Sequence, residues 1–182
     1  MKVKVGVMGS ANDTLPGGVS DAVREKAEAL GREIAARDVL LLTGATTGLT
    51  YIVGKAARRA GAFHIGISPA SDEREHVERY QLPLDSCDAI IHTGFGLKGR
   101  NVVLVRSSDV ALFVGGSTGS LNEFTIAHDE GRVVGCLTGT GGVADEARRL
   151  LRVLPHKKGA RVVYHDDPAR LLDECLAALK EG

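Results

Sequence analysis

Cysteine is scarce and scattered. Cys87, Cys136 and Cys175 are odd in number, far apart and free of any Cys-x-x-Cys spacing, which argues against a disulfide framework or a zinc knuckle and predicts buried thiols in a reducing cytosol. No stretch of about 18 uncharged apolar residues occurs, so no membrane partner is expected. Met1-Lys2-Val3-Lys4-Val5 opens at once on a strand pattern without the apolar core of a signal peptide, which predicts a cytoplasmic protein. Neither sign of charge is in excess: Lys plus Arg is 23 and Asp plus Glu is 23, so the basic surplus of a phosphate-gripping nucleic-acid binder is missing and a small polar ligand is the better expectation. The six histidines, His64, His76, His92, His128, His156 and His165, form no i, i+4 pair and no grouping with Cys or carboxylates, so no metal site is expected. No Gly-x-Ser-x-Gly elbow and no Gly-Lys-Ser/Thr at Walker spacing is present, which disfavours an α/β-hydrolase nucleophile and P-loop ATP hydrolysis. Tryptophan is absent and aromatics make up only 4% of the chain.

Glycine, by contrast, is abundant, with 23 of 182 residues against a usual share of about 7%. At 43% hydrophobic and 25% charged, a chain of this length fits a single globular domain over residues 1–182. Apolar runs of strand length recur at Val3–Met8, Val39–Leu42, Phe63–Ile67, Ala89–Ile91, Val110–Val114, Val133–Leu137 and Val162–Tyr164. Most are nearly continuous, as in strands covered on both faces. Helix-period stripes lie between them, among them Val23, Ala27, Leu30 and Ile34, and Leu171, Leu172, Cys175, Leu176 and Leu179. Strand–helix alternation with short links predicts an α/β fold, a Rossmann-like doubly wound parallel sheet whose ligands bind beyond the carboxyl ends of the strands.

That rule places the glycines. Gly9-Ser10 follows the first strand, Thr43–Gly48 the second, Gly94–Gly99 the fourth and Gly115–Ser120 the fifth. Turns between a strand and a helix offer free amides at the positive end of a helix dipole, which predicts a phosphate-bearing ligand. The candidate binding residues are Gly9, Ser10, Gly44, Thr47, Gly48, Gly115, Gly116, Ser117, Thr118, Gly119 and Ser120. Gly94-x-Gly96-x-x-Gly99 formally matches the dinucleotide fingerprint, but the acid at the tip of the next strand is missing, so the match reads as a decoy for NAD. Arg100, read at the start of a helix where a cation opposes the dipole, points to an anionic partner. Glu123 admits two readings: a site carboxylate, or the last member of a capping box Ser120-Leu121-Asn122-Glu123. Ser71 to Leu84 is the longest segment of uncertain structure, where Asp72–His76 could form a short solvated helix or a lid.

The run Gly99-Arg100-Asn101, followed by Ser107–Gly116 and Ser117-Thr118-Gly119-Ser120-Leu121-Asn122-Glu123, resembles the LONELY GUY (LOG) family and its broader nucleotide-binding superfamily, often labelled "possible lysine decarboxylase". The order of elements agrees over nearly the whole chain, and the sequence is similar to the branch near the molybdenum-cofactor carrier proteins. The resemblance implies a Rossmann-like homodimer with a nucleotide pocket at these turns. In the phosphoribohydrolase members, which cleave the N-glycosidic bond of purine nucleoside 5′-monophosphates, the Arg and the motif's last Glu are needed for activity; by position these are Arg100 and Glu123. This chain departs from the signature at Asn101 (Lys in the family), Val114 (Pro), Ser120 (Thr) and Asn122 (often an acid). The alternative reading is a non-catalytic carrier or sensor of a phosphorylated ligand such as molybdenum cofactor. Neither Lys55 nor Lys98 has a recognisable Schiff-base context, so pyridoxal phosphate chemistry is disfavoured and no resident cofactor is expected.

Overall fold

A computed structural model of the chain describes residues 1–11, 18–153 and 159–181; His156 lies outside them. Seven strands, β1 (Val3–Gly9), β2 (Val39–Thr43), β3 (His64–Ser68), β4 (Ala89–His92), β5 (Val110–Val114), β6 (Val133–Leu137) and β7 (Arg161–His165), alternate with six helices. These are α1 (Asp21–Ala35), α2 (Leu49–Arg59), α3 (Gly96–Ser107), α4 (Thr118–Asp129), α5 (Gly142–Val153) and α6 (Pro168–Lys180). All strands are parallel, in the order β4-β3-β2-β1-β5-β6-β7. The Rossmann-like doubly wound sheet expected from the apolar runs is therefore what the chain forms.

Each sheet face carries its own core. On one, Leu30 and Ile34 of α1, Leu49 and Val53 of α2 and Leu171, Leu172 and Cys175 of α6 pack on Val5, Val7, Leu41, Leu112 and Val114. On the other, Leu104 of α3, Phe124 of α4 and Ala144 of α5 pack on Met8, Leu42, Phe113 and Cys136. Alternate residues of a strand point to opposite faces, so Leu112 and Phe113 enter different cores and the strand must be apolar throughout. The helix ends also follow local rules: Ser20 accepts from the Val23 amide at α1, and Asp167 accepts from the Arg170 amide ahead of Pro168 in the first turn of α6. All three cysteines are buried thiols, and burial pushes those of Cys136 and Cys175 up to about 12. No helix among the described residues is long and apolar enough to cross a membrane.

Two local expectations shift. β4, the outermost strand, is alternately exposed, and Ile91 is half open to solvent because the sheet ends there. In the segment after β3, the helical turn is a π turn at Glu75–Arg79; Val77, Glu78 and Arg79 are exposed as expected of a solvated turn, but His76 anchors it. His76 is fully buried, its Nδ1 on the Ser68 hydroxyl (2.8 Å) and its Nε2 on the Pro83 carbonyl (3.3 Å), which fixes the loop against the sheet.

The strand order reverses at β1, which pairs β2 on one side and β5 on the other, with Gly9 opposite Val114. An open α/β sheet leaves a crevice at this point, where the helices that follow the two strands depart to opposite faces.

Candidate functional site

A cavity of about 250 Å³ lies in that crevice. The end of β1 contributes Gly9 and Ala11, the turn after β2 contributes Gly44 and Thr46, and α2 adds Thr50. From the opposite side come Leu97, Lys98, Arg100 and Asn101 of α3, and Ser117, Thr118, Gly119, Ser120 and Glu123 at the start of α4. Although β4 is at the sheet's far edge, α3 runs back against β1 and α4, which carries its first two turns to the crevice.

Arg100 and Glu123, 23 residues apart in sequence, meet in the wall: Arg100 Nη1 donates to Glu123 Oε1 at 3.1 Å, with each side chain only 7% exposed. Arg100 does not stand at a helix start, because α3 begins four residues earlier at Gly96. Its purchase is elsewhere: Gly44 lies against the guanidinium, and a Cβ there would come within 2.2 Å of Nη1, so only glycine lets the arginine lie down on the turn. Arg100 Nε is buried with no hydrogen-bond partner among the described residues. Burial lowers the Arg100 pKa, an effect that Glu123 offsets in part. The Glu123 carboxyl is pushed up to about 7, burial outweighing the attraction of Arg100 and Lys98. Asn101 adds no charge; its amide nitrogen donates to Asn122 Oδ1 at 2.8 Å, and with the amide reversed the nitrogen would instead donate to Glu123 Oε1 and the Leu97 carbonyl, both at 3.0 Å.

The capping-box alternative for Glu123 does not fit this geometry. The N-cap of α4 is Ser117, Ser120 Oγ donates to the Gly9 carbonyl at 3.1 Å, and Glu123 is turned to Arg100. Ser117 makes no side-chain cap bond, and the first intrahelical amide bond is Leu121 N to the Ser117 carbonyl. The amides of Thr118, Gly119 and Ser120 therefore lack helical partners by position at the positive end of α4, and all three residues line the cavity.

The other glycine-turn candidates are placed differently. Gly116 (φ +113°) donates its amide to Ser10 Oγ at 2.7 Å and Gly115 donates to Thr140 Oγ1 at 2.8 Å, while the Ser10 carbonyl accepts from Leu49 N at 2.9 Å. Ser10, Gly115 and Gly116 thus join the turns to one another behind the lining, as does Gly48, where a Cβ would strike the Ser10 carbonyl. Thr47 and Gly48 do not line the cavity, nor do Gly94, Gly96 and Gly99. Several lining residues are absent from the sequence candidates, among them Ala11, Thr46, Thr50 and Leu97, and Lys98 is the charged one. An exposed lysine carries no pattern, and its only signal was its place two residues before Arg100.

The chain is similar to an uncharacterized protein of Archaeoglobus fulgidus, 32% identical over 108 residues, or 59% of this chain and 66% of that relative, so the match spans just under two thirds of it. Among solved structures it is similar to the structural-genomics target TM1055, with a TM-score of 0.79 and 25% identity over 98% of this chain and 99% of the other. It is also similar to the molybdenum cofactor carrier protein of Chlamydomonas reinhardtii, with a TM-score of 0.75 and 26% identity over the whole of both chains. The SLOG cluster4 family model matches residues 2–172, and with nearly the whole chain inside that match, the protein belongs to the SLOG cluster4 family.

Proposed function

We propose that this protein binds a small phosphate-bearing molecule in the β1–β5 crevice and holds it without turnover, as a carrier, with molybdenum cofactor as the first ligand to test. The observation that carries the reading is Arg100, buried in the cavity wall with Nε unpartnered among the described residues and lying beside the uncapped start of α4. A phosphate would accept from the Thr118, Gly119 and Ser120 amides, with Arg100 and Lys98 supplying positive charge in a partly dry site. The full-length likeness to a molybdenum cofactor carrier protein supports the same reading. Mass spectrometry of the purified protein tests it. A phosphate compound should copurify and remain chemically intact, and Arg100→Met should release it. Protein that carries no such compound and binds neither phosphate nor molybdenum cofactor refutes the reading.

A second reading, hydrolysis of the N-glycosidic bond of purine nucleoside 5′-monophosphates, is favoured by one observation. Glu123 faces the same cavity with its carboxyl raised to about 7, so near neutrality it can hold a proton for a departing base or, ionised, orient water and stabilise an oxocarbenium-like centre. Incubation with AMP should then release adenine, and Glu123→Ala should slow release by about 10²–10³-fold, the loss seen for one electrostatic group in other enzymes. Equal release by wild type and variant removes this reading. The homodimer implied by the family resemblance belongs to both readings, and light scattering on the eluting protein tests it: a monomer at micromolar concentration removes it.

A further inference from the structure

We propose that the groove between α1 and α2, away from the crevice, is a second anion site that takes an extended small polyphosphate. It encloses about 250 Å³, or roughly eight water volumes. Its walls are two matched stripes. Arg24, Glu28 and Arg32 follow one another at four-residue intervals on α1, and Tyr51, Lys55 and Arg59 do the same on α2. At 1.5 Å per residue each stripe runs about 12 Å along its helix.

The charges on these stripes are unbalanced in a chain that is neutral as a whole. Four cations face one acid. Lys55 is already engaged with Asp85 at 2.7 Å, and Arg32 only approaches Glu28 at 3.8 Å. Arg24 and Arg59 have no ion-pair partner among the described residues. Several arginines elsewhere are matched, Arg37 with Glu33 and Asp173, Arg58 with Asp88 and Arg106 with Glu130; Arg148, Arg152 and Arg170 are also without an ion pair among the described residues, but none of them lines this groove. Ile52 and Ala56 give the groove an apolar component between the charged groups. Guanidinium groups pair phosphate oxygens through two parallel N–H bonds. With cations spread along both walls rather than gathered at one point, a linear chain of phosphates meets more of them than a single compact phosphate can. The site shares no lining residue with the crevice, so it stands or falls apart from the function proposed above.

A backbone-amide NMR titration with sodium tripolyphosphate at about 0.1 M ionic strength, where the Debye length is roughly 10 Å, tests the proposal. Amide shifts are expected along Arg24–Arg32 and Tyr51–Arg59, separable from any at Thr118–Ser120. The double substitution Arg24→Gln and Arg59→Gln should weaken binding in the groove about tenfold per guanidinium removed. Arg24→Lys with Arg59→Lys, which keeps the charge but loses the paired N–H bonds, should bind more weakly than wild type and more tightly than the glutamine variant, and Lys98→Ala in the crevice should leave binding in the groove unchanged. These arginines are exposed, so the variants should keep the wild-type thermal midpoint. ATP should bind the groove as tightly as tripolyphosphate. Four results overturn the proposal: shifts confined to Thr118–Ser120, affinity unaltered in the glutamine variant, orthophosphate binding as well as tripolyphosphate, or a single-stranded oligonucleotide binding the groove more tightly than either polyphosphate.

Discussion

Replacing Glu123 by Gln keeps the size of a side chain that is 7% exposed but removes its titration. In the wild type the carboxyl is pushed from the ordinary 4.5 up to about 7 because burial disfavours its charge more than Arg100 and Lys98 favour it. A carboxyl that holds its proton more tightly folded than unfolded contributes stability that is fully present below pH 4.5 and lost as the pH rises through 7. At 1.36 kcal/mol per pH unit, that contribution is about 3 kcal/mol. Urea unfolding of wild type and Glu123→Gln between pH 4.5 and 8 isolates it, since groups common to both cancel in the difference. The stability of the wild type relative to the variant should fall by about 3 kcal/mol across that range, whatever its starting value. Breaking a buried ion pair has its own cost, about 3–5 kcal/mol where one charge is left unpaired, and it shifts the whole difference without changing this slope. A flat difference, or one that grows with pH, would refute the claim that burial dominates at Glu123.

The same proton should be felt by a ligand. Sulfate, which does not titrate in this range, should bind the crevice more weakly as pH passes through 7 in the wild type and with little pH dependence in Glu123→Gln, as measured by calorimetry. Gly44→Ala places a methyl group 2.2 Å from Arg100 Nη1, the far end of a flexible side chain, so it should weaken sulfate binding by displacing the guanidinium while moving the thermal midpoint little, as calorimetry and thermal unfolding would show. Thr43→Val deletes the hydroxyl that bonds the fully buried His64 Nε2 at 2.8 Å and accepts from the Ala45 amide at 3.2 Å; denaturant unfolding should register a loss of about 1–3 kcal/mol. Burial lowers the His64 pKa, so its contribution to stability is present above pH 6.5 and is lost as the pH falls through the folded value.

The sheet was legible because its physics is local. A strand buried on both faces must be apolar at consecutive positions, and Val110–Val114 announces that without reference to any other residue. The position of the crevice followed from the same alternation. The division of labour among the turn residues was hidden, because it depends on partners far away in sequence. Gly116 and Ser10 are 106 residues apart, Gly115 and Thr140 25 apart, and nothing in a glycine-rich string says which amides are already taken. Glu123 was ambiguous for a related reason: Ser120 and Glu123 satisfy a capping pattern in one dimension, whereas the helix starts at Thr118 and turns Glu123 toward Arg100. The burial of His76 was equally out of reach, since a run of Asp, Glu and Arg conceals a ring whose partners are Ser68 and the Pro83 carbonyl.

The register that sets Gly9 against Val114 also carries a lesson about how the molecule is made. During synthesis β1 can find β2 as soon as residue 43 has emerged, yet the opposite bank of the crevice is more than a hundred residues from its mate and closes a costly loop. No amino-terminal fragment ending before α4 can own the complete cavity. A ligand that requires both banks recognises only the finished article, and in binding it would strengthen the fold as a whole rather than one half of it.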